Sequence, residues 1–181
     1  MVKWMRENRY AAMLLLLVRL YVGWQWFTAG WHKLTGGFDA AGFLNNAVTK
    51  PIADKATGAL TYPTFTAFVE HFALPNVKLI NIIIPLGEFL VGLGLLVGAL
   101  TATAAFFGLL MNFMFMFAGT VSTNPWLVLL GGIVFIAGTN AGKYGVDYYL
   151  MPYVRKLLHK FGRHHDDPTA KPTNTPKPLH A

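Results

Sequence analysis

The chain has 181 residues, enough for one domain, and its composition is that of a membrane protein, with 54% hydrophobic and only 13% charged residues. It contains no cysteine, which excludes disulfides, thiolate nucleophiles, iron–sulfur clusters and cysteine zinc sites within the chain. The formal net charge of +7 is concentrated towards the two ends, so it indicates membrane topology and not binding to nucleic acid.

Four segments are apolar and long enough to cross a bilayer, which takes about 20 residues. They predict an all-α fold, a four-helix transmembrane bundle, with spans at about residues 11–31, 77–100, 102–121 and 126–143. The first span contains Arg19 and no small-residue cleavage site follows it, so we expect a transmembrane helix and not a cleaved signal peptide. The membrane domain is predicted to cover residues 1–154.

The connection between the first two spans, residues 32–76, is predicted to be a long external loop that carries short interfacial helices. Apolar residues recur at helical spacing in residues 38–48 and 65–72. The charges of the loop nearly balance, whereas basic residues precede the first span and follow the last. The positive-inside rule therefore predicts a multi-pass protein of the cell membrane with both termini in the cytoplasm. Residues 155–181 are predicted to be a basic, largely disordered cytoplasmic tail.

Two ionisable residues lie within the predicted spans, Arg19 in the first and Glu88 in the second. Charged side chains are costly in hydrocarbon, so they face a bundle interior, find a partner and often mark function. The helical rise places Arg19 about 12 Å and Glu88 about 18 Å from the cytoplasmic ends of their spans. A buried Arg19–Glu88 ion pair is therefore predicted, with Asn112 of the third span nearby. Such a pair either only fixes the helix register or also lines a functional cavity, and the sequence leaves both open.

Other polar and aromatic residues share the faces of this pair. Trp26 and Lys33 follow Arg19 on one stripe of the first helix, and Asn81 precedes Glu88 on a stripe of the second. The six histidines lie outside the deep parts of the spans, and no metal site is predicted.

The sequence resembles the DoxX family of small four-helix membrane proteins in three places. The first is an arginine in helix one followed by Gly-Trp-His-Lys at residues 30–33. The second is Gly-Glu at residues 87–88 with glycines at 92, 94 and 98. The third is a glycine-rich segment, residues 141–147, that closes on Asp147.

This resemblance implies that the protein takes part in redox chemistry at the membrane. The chain is similar to the DoxD membrane subunit of archaeal thiosulfate:quinone oxidoreductase. Other relatives are associated with quinone detoxification and oxidative stress, and more distant ones act as cargo receptors or assembly factors.

The leading hypothesis is a DoxX-type membrane subunit that binds a quinone or quinone-like aromatic in a cavity around Arg19 and Glu88. Glu88 would exchange a proton, and Arg19 would orient it and stabilise an anionic oxygen. These two are the candidate catalytic residues, although it stays open whether the chain is itself an enzyme. The candidate ligand-binding residues are Trp26, Lys33, Asn81, Asn112 and Asp147.

The expected partners are the lipid bilayer, a soluble redox protein that exchanges electrons, and further copies of the chain. Two alternatives stay open. One is a non-catalytic protein that binds or transports a small hydrophobic ligand, and the other is an assembly factor for another membrane protein.

Overall fold

The computed structural model describes residues 1–162, apart from the side chains of Arg155 and residues 157–162. The described residues form eight α-helices and no strand beyond an isolated bridge between Ala53 and Leu60, which confirms the all-α prediction. A π-helical turn, Val69–Ala73, continues the fourth helix, and a 3-10 turn, Gly138–Asn140, follows the seventh. The helices are α1 (Val2–Glu7), α2 (Arg9–Gly36), α3 (Ala41–Thr49), α4 (Pro63–Phe68), α5 (Val77–Val97), α6 (Thr101–Phe117), α7 (Asn124–Ala137) and α8 (Asp147–Gly162).

Among the described helices, two are long and apolar enough to cross a membrane, α2 with 28 residues and α5 with 21. Helix α6 and the segment Asn124–Asn140 are also apolar but shorter. The 17 residues of α6 rise about 25 Å, less than the roughly 30 Å of a hydrocarbon core. The structure thus supports two of the four predicted spans directly.

Helices α2 and α5 pack together in antiparallel orientation more extensively than any other described pair. Their backbones approach closely because glycines lie at the contact. Gly30 faces the backbone of Phe89, and Gly92 faces the backbone of Phe27. Small residues at such positions allow helices to approach each other in membranes. This contact fixes the relative height of every other residue on the two helices.

Local signals set the ends of these two helices. The side chain of Asn8 accepts hydrogen bonds from the backbone N–H groups of Tyr10 (2.7 Å) and Ala11 (3.3 Å), so it caps the start of α2. Gly37 and Gly98 follow the last residues of α2 and α5 in the left-handed conformation, with φ of 75° and 69°. We call the end of the bundle at which α2 begins the proximal end, and the other end the distal end.

The connection between α2 and α5 contains helices at the two places where the apolar spacing predicts them. Helix α3 and the π-helical turn pack together near the distal end of α6. The buried residues of this second hydrophobic cluster are Ala40, Leu44, Ala47, Val69, Ala73 and Ala118. The connection therefore has a small core of its own beside the ends of the long helices.

Residues up to Tyr148 form one compact unit, and the described residues from Tyr149 to Gly162 belong to a second. In the second unit, the structure describes the part of α8 that ends at Gly162. The predicted tail, residues 155–181, begins within this helix, and its residues 163–181 lie outside the described part of the chain.

Candidate functional site

An ion pair between Lys33 and Glu88 lies at the distal end of the α2–α5 contact. The Lys33 ammonium nitrogen Nζ is 2.6 Å from both carboxylate oxygens of Glu88. The Glu88 side chain is only 1% exposed, whereas that of Lys33 is 30% exposed. Because Gly30 faces the backbone of α5 next to Glu88, the lysine one turn further along α2 reaches the carboxylate. The ammonium group thus neutralises a buried negative charge and keeps contact with the surface.

A cavity of about 330 Å³ surrounds this pair, and we call it the distal cavity. Gln25, Lys33 and Glu88 contribute polar groups to its wall, together with residues of the turn between α6 and α7. The aromatic and aliphatic residues of the wall are Trp26, Ala29, Phe38, Phe43, Ile84, Phe115 and Leu127. A mainly apolar cavity with a few convergent polar groups is the usual form of a small-molecule site.

Aromatic rings surround the Lys33 ammonium group. Its nitrogen is 5.6 Å from the ring centre of Phe38 and 5.8 Å from that of Phe115, within the range of cation–π attraction. The ring of Phe115 in turn stacks on Trp26 with a centroid distance of 6.4 Å. The lysine is therefore positioned by one carboxylate and two rings.

The predicted Arg19–Glu88 ion pair is wrong, because the two residues lie at different heights. Arg19 is level with Gly98, which follows α5, whereas Glu88 is level with Gly30. Glu88 and Gly98 are separated by about 15 Å along the helix axis. The predicted heights were counted from the cytoplasmic ends of the two spans, on the assumption that both ends lie in one plane. In the structure, the proximal end of α5 lies level with Arg19, well inside α2, so this assumption fails. Arg19 is accordingly absent from the wall of the distal cavity.

Arg19 belongs instead to a second polar cluster at the proximal end, which we call the proximal cluster. It is 2% exposed, and its guanidinium donates hydrogen bonds to the carbonyl oxygens of Ala141 and Tyr144, both at 3.2 Å. Gly98 and Gly145 pack directly against the guanidinium group. The glycine-rich segment after α7 is therefore folded around this arginine.

Asp147 is the acidic member of the proximal cluster. It is 4% exposed, and its carboxylate accepts hydrogen bonds from the backbone N–H groups of Leu100 (2.7 Å) and Thr101 (2.8 Å) at the start of α6. It also interacts electrostatically with Arg19. Asp147 thus caps α6 and balances a buried charge, and it does not line the distal cavity.

Asn81 joins the α2–α5 connection to α5. Its Oδ1 accepts a hydrogen bond from the Ala40 N–H (2.7 Å), and its Nδ2 donates one to Asp39 (3.1 Å). The Ala41 N–H and the Asn81 amide, both donating to the carboxylate, hold the pKa of Asp39 below its usual value. Asn81, predicted to bind a ligand, lies outside the cavity wall and anchors the connection.

Asn112 is buried in α6, at 1% exposure, and its Oδ1 has no hydrogen-bond partner among the described residues. It lies one turn beyond Gly108, whose missing side chain leaves room for the indole of Trp26. Asn112 is not part of the cavity wall. Of the predicted site residues, the structure thus brings Trp26, Lys33 and Glu88 together around one cavity.

Two groups of wall residues escape prediction from the sequence. Phe38 and Phe43 belong to the connection, where they were assigned to an interfacial helix. The polar turn with Ser122 and Asn124 was interpreted only as a short link between helices. The signal that could have revealed this turn is its position, since a link at the same end of the bundle as Lys33 places its polar side chains at a similar height.

Comparison with known proteins gives one family finding. The family model DoxD, described as the TQO small subunit DoxD, matches residues 14–162. No curated protein and no solved structure matches the chain. The resemblance to DoxX noted in the sequence is therefore confirmed at the level of a DoxX-like membrane family, within which DoxD is a close relative.

Proposed function

We propose that this chain, which belongs to the DoxD family, is the membrane subunit of a quinol-oxidase-type complex. We also propose that it binds a quinone or quinol ring in the distal cavity. Family membership supports membrane association and a partner complex. The place of the ring within the chain is our own inference from the geometry described above.

The single observation that carries this proposal is the Lys33–Glu88 ion pair in the wall of a mainly apolar cavity that includes aromatic rings. A volume of about 330 Å³ is at the lower end of the range for small-molecule pockets, which fits one substituted ring. The rings of Trp26 and Phe115 offer faces for stacking. The lysine and glutamate offer a proton donor and a proton acceptor side by side.

The ion pair suits the binding of a ring oxygen. An ammonium group has three N–H donors, and Glu88 engages Lys33 through two oxygens, so one donor remains for a ligand. Glu88 would accept a proton from a ring hydroxyl, the role predicted for it from the sequence, and Lys33 would take the orienting role predicted for Arg19. Oxidation of a bound quinol to the quinone would release two protons, the first of them to Glu88, and two electrons, which would pass to a partner subunit.

Ring binding to the purified protein tests this proposal. In mild detergent, we expect 1,4-benzenediol to bind the wild-type protein at one site. Lys33→Met is expected to weaken this binding about tenfold or more, because a charged hydrogen bond to the ring oxygen is lost. Isothermal titration or equilibrium dialysis measures the affinity.

Lys55→Met is the matched control, since Lys55 is an exposed lysine of the α2–α5 connection. It should bind the ring as well as the wild type does. Equal affinity of the Lys33 and Lys55 variants would contradict the proposal. Ring binding without electron transfer to any co-purified protein would instead favour the non-catalytic binding or transport alternative.

We also propose that all four apolar helices, α2, α5, α6 and α7, cross the membrane and that both termini lie in the cytoplasm. The support is the antiparallel packing of α2 on α5, the contact of α6 with α7, and the positive-inside rule. The two shorter helices require local thinning of the bilayer, which costs only fractions of a kcal/mol per ångström of mismatch.

Cysteine labelling in intact cells tests this topology cleanly, because the natural chain has no cysteine. Asp54→Cys, in the α2–α5 connection, is expected to react with a membrane-impermeant maleimide. Thr173→Cys, near the C-terminus, is expected to react only after the cells are permeabilised. The opposite pattern would invert the proposed topology. Labelling of both sites in intact cells would mean that an even number of spans separates them, which contradicts the proposed three.

A further inference from the structure

The turn between α6 and α7 presents a second group of polar side chains to the distal cavity. We call this group the polar rim, and it consists of Thr120, Ser122, Thr123 and Asn124. No hydrogen bond joins the described rim side chains to Lys33 or Glu88, the charged pair from α2 and α5. The charged pair and the polar rim are therefore not bonded to each other, and the rest of the wall consists of Gln25 and apolar side chains.

Asn124 shows that the rim has a free acceptor. It is only 8% exposed, and its Nδ2 donates a hydrogen bond to the carbonyl oxygen of Thr120 at 2.9 Å. Because a carbonyl oxygen only accepts, this bond fixes which end of the amide is nitrogen. The Oδ1 of Asn124 is thus identified, and no donor among the described residues bonds to it. This oxygen is not among the fully buried polar atoms that have no partner, so it is open to the cavity, where a ligand or a water can donate a hydrogen bond to it.

The hydroxyl groups of the rim are also not used by the fold. Thr123 precedes the first residue of α7, the place of a capping side chain, yet its hydroxyl makes no capping hydrogen bond. Ser122 has a φ of 40°, a left-handed conformation that is rare outside glycine, asparagine and aspartate. Strained residues of this kind concentrate at ligand sites, where the surrounding structure maintains them.

We infer that the polar rim is a second oxygen-binding site of the distal cavity, so that the cavity selects a ring carrying oxygen substituents at two opposite positions. This inference depends on the proposed function, in which Lys33 and Glu88 bind the first oxygen. A ring with one oxygen satisfies only one of the two polar groups. A ring with two oxygens also supplies a hydroxyl donor to Asn124 or an acceptor to the hydroxyls of Ser122 and Thr123.

Comparison of 1,4-benzenediol with phenol tests the inference. Both rings are titrated into the full-length protein in the same detergent, and the signal of protein-free micelles is subtracted to remove partitioning. We expect the wild-type protein to bind the diol about tenfold more tightly than phenol, the effect of one additional net hydrogen bond.

Two variants remove the second site in different ways. The first combines Thr120→Val, Ser122→Gly and Thr123→Val, which removes three hydroxyls with little change of shape and relieves the backbone strain at Ser122. The second is Asn124→Ala, which removes the free acceptor. In both variants we expect the preference for the diol to fall to about twofold or less, with phenol affinity unchanged. The unchanged phenol affinity reports an intact cavity, so a variant that loses it is set aside and the other one decides.

Three outcomes separate this inference from the proposed function. If the wild-type protein binds both rings equally, or if the preference for the diol persists in a variant with normal phenol affinity, the second site does not exist, although the proposed function stands. If the wild-type protein binds neither ring, the proposed function fails and the inference fails with it.

Discussion

Replacing Lys33 by methionine is expected to lower the free energy of unfolding by about 3 kcal/mol. The substitution leaves the carboxylate of Glu88, which is 1% exposed, without the one cation that contacts it in the described structure. Protonation of the carboxyl group limits the loss, because an isolated acid in an apolar site takes up a proton. Reversible unfolding in mild detergent gives the measurement.

A double-mutant cycle identifies the partner of Glu88. Lys33→Met combined with Glu88→Leu should recover most of the lost stability, because no buried charge then remains unpaired. Arg19→Leu combined with Glu88→Leu should instead be additive within about 0.5 kcal/mol, since the two side chains do not touch. Strong coupling between Arg19 and Glu88, with none between Lys33 and Glu88, would contradict the observed register and restore the pairing expected from the sequence.

The same double variant distinguishes a structural ion pair from a functional one. If Lys33 and Glu88 only fix the register of α2 on α5, the Met–Leu protein should fold and still bind 1,4-benzenediol. If they bind a ring oxygen, it should fold and fail to bind. We expect the second result, because the pair lines a cavity and the lysine has one donor to spare.

Hydropathy was sufficient to predict the two long helices, α2 and α5, since each contains more than enough apolar residues to span a bilayer. It was also sufficient to single out Glu88, because a charge within such a run is costly and needs a partner. Trp26 and Lys33 followed from helical periodicity on the same face of α2. These inferences depend on local sequence, and the structure places all three residues around one cavity.

The partner of Glu88 depends on the relative height of two helices, which local sequence does not contain. Sliding α5 along α2 by about ten residues would exchange one partner for the other. The glycine contacts that set the register become visible only when both helices are packed. The proximal cluster is even harder to predict from the sequence, because Arg19 donates a hydrogen bond to Ala141, which is 122 residues away in the chain. The polar rim and the phenylalanines of the connection lie in segments between the apolar spans. A hydropathy pattern gives no information on how such segments fold, so it does not predict that they reach the cavity.

Replacing Gly98 by alanine is expected to lower the free energy of unfolding by about 3 kcal/mol or more. Gly98 has a φ of 69°, and a Cβ there would overlap the guanidinium of Arg19 and the backbone of Gly145. Left-handed alanine alone costs about 1–2 kcal/mol, and the overlap adds the displacement of a buried arginine from the two carbonyl oxygens to which it donates.

Gly119→Ala is the matched control, because Gly119 has a φ of 87° and no atom lies within 4 Å of the added methyl group. It should show the backbone cost alone, about 1–2 kcal/mol. Equal losses for the two alanines would mean that Gly98 does not touch Arg19. The protein that remains folded in Gly98→Ala should bind 1,4-benzenediol with wild-type affinity, because the proximal cluster is separate from the distal cavity. That combination, lost stability with unchanged affinity, would assign Arg19 to the architecture of the bundle and leave ring binding to Lys33 and Glu88.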